Sequence, residues 1–328
     1  MGIKQLLKSG GGMTNKRLNP FSKIIQNKTF LKPLENPINE FPFYIDTEIT
    51  NHCNLECIMC RRQVMTREKG YMAEGIYKKL IDEMSMYNVG LKLGRMGEPT
   101  MHKQITEFIE YANECNVTNF LSTNGFYSKE KMGRILKAGP DIIRFSFQGL
   151  NKEEFEKIRK PSKYEVVTDN IAFCVKERER HGWEKPYLVI STTVLDESKE
   201  EIEAFKEEWL KIVDRVEVGK TTFSMSGNNG EYEDFKKRAT VNTEYLPCLE
   251  ILTKISVNWN GDIIACCSDY CGAMILGNLK DITIKEAWEC TKEVHFRQMV
   301  SYNMRHSELP VCKDCFKGDY KFKDNPVE

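Results

Sequence analysis

The sequence predicts an α/β protein built on a parallel sheet, and three observations carry that prediction. From Phe43 to about residue 220, short apolar runs rich in β-branched and aromatic residues alternate with amphipathic stretches. Strands that alternate with helices are joined by right-handed crossovers, which makes them parallel. A chain of 328 residues, 41% hydrophobic and 29% charged, is large enough for one α/β domain of roughly 200 residues and a smaller companion.

The elements follow in order. Residues 1–40 are polar, contain Gly10-Gly11-Gly12 and read as an N-terminal extension. A core is expected over 41–220, with strands at Tyr44–Thr50, Gly90–Arg95, Thr118–Ser122, Ile142–Phe147, Tyr187–Val194 and Arg215–Val218. Between them, Ile76, Leu80 and Met84 recur every fourth position, as do Ile105, Ile109 and, one place over, Phe108 and Ala112. Ile202, Phe205, Trp209 and Ile212 repeat the helical spacing. Residues 221–247 lose this periodicity and read as a linker or substrate-facing loop. A cysteine-rich unit is expected over 248–328, with a hairpin turning at Asn260-Gly261 and an amphipathic helix over Ile284–Gln298.

Composition removes several function classes. Forty-eight basic and forty-eight acidic residues balance, with no basic block, so an electrostatic case for a nucleic-acid partner is missing. No apolar run reaches the roughly 18 residues that a membrane span needs, and no secretory signal precedes the core. Twelve cysteines without a secretory signal point to a cytoplasmic protein whose clustered thiols bind metal or do redox chemistry.

The densest cluster follows the first strand: Asn51-His52-Cys53-Asn54-Leu55-Glu56-Cys57-Ile58-Met59-Cys60. Cys53, Cys57 and Cys60 supply three thiolates where closed metal sites use four, so a cubane cluster held there keeps one iron open. Zinc, with His52 or a remote thiol as fourth ligand, is the alternative. Three further turns follow strand ends: Met96-Gly97-Glu98-Pro99, Ser122-Thr123-Asn124-Gly125 and Ser146-Phe147-Gln148-Gly149. In this order the set resembles the radical S-adenosylmethionine (SAM) superfamily. The resemblance implies a partial (β/α)6 barrel and a [4Fe–4S] cluster whose open iron chelates SAM for reductive cleavage to a 5′-deoxyadenosyl radical. It assigns Met59 to the adenine, Gly97 and Glu98 to the SAM ammonium, and Ser146 to the ribose. Arg159 would pair with the SAM carboxylate, while Asn124 and Thr192 are further cofactor-binding candidates. Two departures stand out: Met59 replaces an aromatic residue, and Gln148 replaces an acid.

A second set comprises Cys248, Cys266, Cys312 and Cys315. Four thiolates close a site, which suits either a structural zinc ribbon or an iron–sulfur cluster. The spacing resembles the twitch domain, a shortened relative of the SPASM domain, and implies one auxiliary [4Fe–4S] cluster. Cys115, Cys174 and Cys290 read as packing residues. Cys267 and Cys271 are alternate ligands, catalytic hydrogen-atom donors or inert.

The resemblance implies an enzyme that takes a hydrogen atom from a small-molecule substrate and receives electrons from an external donor such as flavodoxin or ferredoxin. Oxidation of a sugar or aminocyclitol is the first expectation. Sugar epimerisation through a cysteine, a peptide- or protein-modifying maturase, and a non-catalytic metal scaffold are the alternatives. Arg95, Gln148, Thr193 and Lys220 are expected to face the substrate.

Overall fold

The computed structural model describes residues 17–20, 40–194, 197–220, 248–301 and 305–315. The expected extension and the 221–247 loop fall almost wholly outside these residues. Six parallel strands form the core: β1 (Tyr44–Thr47), β2 (Gly90–Leu93), β3 (Asn119–Thr123), β4 (Ile142–Ser146), β5 (Tyr187–Val194) and β6 (Arg215–Lys220). They lie within a few residues of the sequence-based expectation. Helices α1 (Glu74–Ser85), α2 (Ile105–Glu114), α3 (Lys129–Ala138), α4 (Lys152–Ile158), α5 (Tyr164–His181) and α6 (Lys199–Trp209) fill the crossovers.

Strand periodicity sorts the side chains. Ile45, Leu91, Leu93, Leu121, Ile143, Phe145, Leu188 and Ile190 face outward into one buried core with Tyr77, Phe108, Ile135, Ile171 and Trp209 from the helices. On the other face Tyr44, Phe120, Ile142, Tyr187 and Val189 meet in a separate small cluster. The six strands make a partial (β/α)6 barrel, and this cluster is its apolar floor.

The cysteine-rich region continues this sheet. β7 (Lys254–Val257) pairs in parallel with β1, and β8 (Asp262–Ile264) and β9 (Ile275–Asn278) follow antiparallel, in the order β6-β5-β4-β3-β2-β1-β7-β8-β9. The β7–β8 hairpin turns through Gly261 at φ +93°, a left-handed conformation that suits glycine. Helices α7 (Leu249–Thr253), α8 (Ile284–Glu289), α9 (Thr291–Ser301) and α10 (Cys312–Cys315) complete the described chain. The single helix expected over Ile284–Gln298 is two. Cys290 is extended (ψ 148°) at the break, and the Arg297 guanidinium folds back onto Trp288, stacking 3.6 Å from the ring centroid and donating to its carbonyl. Buried Glu83 of α1 accepts from the Ile284 and Lys285 N–H groups at 2.8 and 2.9 Å, capping α8 from the barrel. Among the described residues no helix is long and apolar enough to cross a membrane.

The two halves are also joined by charge. Glu48 is fully buried; Arg67 grips it with two hydrogen bonds (2.9 and 2.8 Å), and Arg95 approaches it at 3.4 Å. Arg95 reaches on to Asn258 Oδ1 (2.6 Å) and to the carbonyls of Cys267 (3.2 Å) and Asp269. Replacing Arg95 with alanine removes this donor from Asn258 Oδ1 and from the Cys267 and Asp269 carbonyls, and leaves Glu48 to Arg67 alone. We expect Arg95→Ala to lower unfolding stability by about 3–5 kcal/mol; urea denaturation measures it, and a loss under about 1 kcal/mol would contradict the linkage.

Candidate active site

A cavity of about 350 Å³ opens at the C-terminal ends of the barrel strands. Its deep wall is charged: Asp46 of β1, Lys92 of β2 and Arg144 of β4 point inward one step above the apolar floor. The Lys92 ammonium stands 3.0 Å from Asp46, and Arg144 stands 3.5 Å from Glu217 of β6. Burial alone would raise the Asp46 carboxyl, but Lys92 and Lys254 hold it below its usual range, and so ionised. None of these three lining residues stands among the sequence-derived candidates. A signal existed, because buried parallel strands are normally near-continuous apolar runs, and a charge inside IDT, LKL or IRF interrupts one.

The cysteine loop forms the upper wall. Leu55, Cys57 and Met59 line the cavity whereas Glu56 and Ile58 line a groove on the other side, and a turn closed by Cys60 N–H on the Cys57 carbonyl (3.0 Å) ends the loop. The loop is pinned to the end of α4: Glu56 and Ile58 N–H groups donate to the carbonyls of Lys160 (2.6 Å) and Ile158 (3.0 Å). Asn51, fully buried, ties the loop's start to Glu68 and Gly70. Cys53 and Cys60 also line the cavity. Burial raises all three thiols, and Arg159 is the strongest opposing influence on Cys57. Among the described residues no three His, Cys, Asp or Glu side chains close on a point as a mononuclear site requires. The three thiols lie near enough on one loop for each to oppose ionisation of a neighbour, an arrangement that suits a multi-iron cluster with one thiolate per iron.

The other expected residues divide. Gly97 packs so closely that a Cβ would lie 2.3 Å from the Thr50 carbonyl and 2.7 Å from that of His52. Glu98 is buried behind it and clamps two strand ends. One oxygen accepts from Thr123 Oγ1 (2.7 Å) and Thr100 N–H (3.1 Å), the other from Asn124 N–H (2.7 Å). Its carboxyl is raised by burial against the pull of those bonds. Asn124 donates to Asn54 (2.8 Å) and lies 3.9 Å from the Cys53 sulfur. Ser146, Gln148 and Arg159 line the cavity, with Gln148 Oε1 accepting from Arg159. Arg159 lines the cavity although it is only 5% exposed, and its Nε is buried without a hydrogen-bond partner, so a desolvated cation stands at the cavity wall. Thr192 stands apart: it is buried outside the cavity lining, and its hydroxyl donates to the Gly149 carbonyl at 3.0 Å. Arg95 does line the cavity, although its side chain is spent on the linkage described above.

Cys248, Cys312 and Cys315 of the second thiol set lie near one another beside α7, α9 and α10. Cys248 and Cys312 share an apolar cluster with Ile251, Leu252 and Val300, and burial pushes both thiols up to about 12. Cys315 lies close enough to oppose ionisation of each. The Cys266 sulfur accepts from Ser268 N–H at 3.4 Å in a turn held by buried Asp269, which accepts from the N–H groups of Gly272, Ala273 and Met274. Cys267 lines the active-site cavity, with its sulfur 3.6 Å from Glu250. Cys271 is half-buried in the turn and does not line the cavity.

Comparisons with known proteins agree with this architecture. Residues 47–208 match the radical SAM superfamily, and residues 248–316 match the SPASM iron–sulfur cluster-binding domain. The chain is 28% identical over 163 residues to the tungsten-containing aldehyde ferredoxin oxidoreductase cofactor-modifying protein of Pyrococcus furiosus, covering 48% of this chain and 46% of that one. The chain thus spans about half the length of that curated relative. Among solved structures it is similar to BtrN in complex with AdoMet and 2-DOIA (TM-score 0.56, 17% identity, 84% of this chain and 94% of that one). It is also similar to Streptococcus suis SuiB bound to precursor peptide SuiA (TM-score 0.64, 15% identity, 91% and 75%). With both domain models matched over more than two thirds of its length, this chain belongs to the radical SAM superfamily, carries a C-terminal SPASM domain, and has SAM and two [4Fe–4S] clusters as its cofactors.

Proposed function

We propose that this enzyme removes a hydrogen atom from a small polyhydroxylated molecule, a sugar or aminocyclitol, and completes its two-electron oxidation. The observation that carries this reading is the charged lumen. Asp46 with Lys92, and Arg144 with Glu217, present donors and acceptors in charge-balanced pairs above a closed apolar floor. Such a wall suits a compact ligand with several hydroxyl or amino groups.

Cys53, Cys57 and Cys60 would hold the SAM-binding cluster. The Arg159 guanidinium, a cation in the cavity wall, suits the SAM carboxylate, and Met59 suits the adenine. Ser146 suits the ribose. Glu98 acts by clamping the strand ends whose backbone meets the SAM ammonium beside Gly97, and Asn124 directs its amide toward the Cys53 sulfur. Thr192 supports the Gly149 turn and has no direct contact in this reading. Cys248, Cys266, Cys312 and Cys315 would hold the auxiliary cluster. Once bound, SAM and the first cluster supply the radical that takes a substrate hydrogen atom, and the auxiliary cluster supplies an acceptor for the remaining electron. Asp46, kept ionised by its lysines, is the base for the substrate hydroxyl proton. An external flavodoxin or ferredoxin would supply the reducing electron, and the clustered thiols fit a reducing, cytoplasmic setting.

One observation favours a second reading. Cys267 lines the same cavity, so its thiol is a candidate to return a hydrogen atom to the opposite face, which would make the enzyme an epimerase. Cys271, outside the lining, is not given that role. The similarity to SuiB makes a peptide side chain the competing occupant of the lumen.

Anaerobically reconstituted protein should hold about eight irons per chain and release 5′-deoxyadenosine from SAM under dithionite. Cys57→Ala and Cys312→Ala should each retain about four, with SAM cleavage lost only in the first; zinc in place of iron would refute the assignment. Arg159→Gln should weaken SAM binding by about 2–5 kcal/mol in calorimetry, and an unchanged affinity would remove the carboxylate from that arginine. With a panel of sugars and aminocyclitols turned over in heavy water, oxidation predicts a new carbonyl and no deuterium on carbon. Deuterium incorporation that disappears in Cys267→Ala would favour epimerisation instead.

A further inference from the structure

The cysteine loop contributes residues to two concave sites, the active-site cavity and a second groove. Leu55, Cys57 and Met59 face the active-site cavity, while Glu56 and Ile58 form the floor of a groove of about 520 Å³ on the opposite side. That groove is rimmed by Arg62, Gln63, Lys69 and Lys160. Three cations stand against the single carboxylate of Glu56, in a chain whose formal net charge is zero. The rim is coupled to the loop: Arg62 donates to the Leu55 carbonyl at 2.7 Å and Gln63 to the Cys57 carbonyl at 2.9 Å. Lys69 and Lys160 are exposed.

We propose that this groove is the docking surface for an acidic electron-transfer protein, which passes one electron across the loop and is itself oxidised by one electron. The inference rests on the assignment of Cys53, Cys57 and Cys60 to the SAM-binding cluster. Two features select this face. An electron entering through the lumen would have to pass the substrate and SAM sites, whereas the groove is lined by Glu56 and Ile58, the chain neighbours of Cys57. The rim's excess positive charge complements an acidic partner, and charge steering with a small contact area is characteristic of transient redox encounters. Arg62 and Gln63, which grip the loop's own carbonyls, bring a docked partner into direct mechanical contact with the cysteine segment.

The test uses the reconstituted enzyme and a reduced bacterial flavodoxin as the acidic probe. Binding is read by biolayer interferometry, and SAM cleavage is followed in parallel with flavodoxin and with dithionite. In Lys69→Glu/Lys160→Glu the flavodoxin dissociation constant should rise about tenfold at low salt, with a smaller rise at 0.5 M salt. Dithionite-driven cleavage should stay at the unmodified level. The neutral pair Lys69→Gln/Lys160→Gln should fall between. Lys79→Glu/Lys280→Glu, in a separate groove beside Trp259, should leave binding unchanged. Equal flavodoxin affinity in the Lys69/Lys160 reversal, or an equal loss in the Lys79/Lys280 control, would overturn the proposal. Loss of dithionite-driven cleavage in the Lys69/Lys160 reversal would also overturn it, by placing those lysines in cluster assembly. Failure of dithionite with the unmodified enzyme would instead strike the cluster assignment itself, and the proposal with it.

Discussion

Glu48 is the constraint on which the rest of this structure depends. A fully buried carboxylate persists as a charge only when it is paired, and its two arginines come from different parts of the chain. Arg67 follows the cysteine loop, and Arg95 ends the second strand. Because Arg95 also holds Asn258 and the carbonyls of Cys267 and Asp269, one anion sets the position of the loop that carries three thiols and of the turn that carries Cys266 and Cys267. The parallel pairing of β1 with β7 runs beside this network and gives both halves a common sheet.

That arrangement gives one cavity chemically different zones. The barrel's strand periodicity divides its side chains into an outer apolar layer and an inner polar one. The inner layer is zoned by depth: an apolar floor, then the charged step of Asp46, Lys92 and Arg144, then the thiols and Arg159 at the mouth. A ligand in the charged step lies between the floor and the cysteine wall, with Cys267 entering from the C-terminal half. Catalytic groups gathered at the C-terminal ends of strands are what a parallel α/β barrel provides, since only there do loops from every strand converge.

Glu98 illustrates how a residue type and its use can differ. A carboxylate after a strand end in a Gly-Glu-Pro turn invites a role as a direct ligand. In the fold both of its oxygens are occupied by Thr100, Thr123 and Asn124, so it shapes the cavity by tying two strand ends together. Thr192 differs in the same way, its hydroxyl used by the Gly149 turn. In each, local sequence specifies a polar group at the correct edge, and the neighbouring backbone decides what that group bonds.

Read without its structure, the chain already determined the parallel α/β architecture, the grouping of three thiols on one loop, and the order of the turns at the strand ends. These are periodic or local properties, written in spacing that any fold of this chain must respect. The tertiary structure alone decided that the cysteine-rich region continues the barrel sheet, that Cys267 enters the cavity while Cys271 does not, and that Asp46, Lys92 and Arg144 line one lumen. It also broke the expected helix at Cys290, where Arg297 takes the Trp288 carbonyl. These outcomes depend on side chains and backbone groups brought together across a curled sheet or by a fold-back between helices, and nothing in the one-dimensional spacing of residues encodes which of them meet.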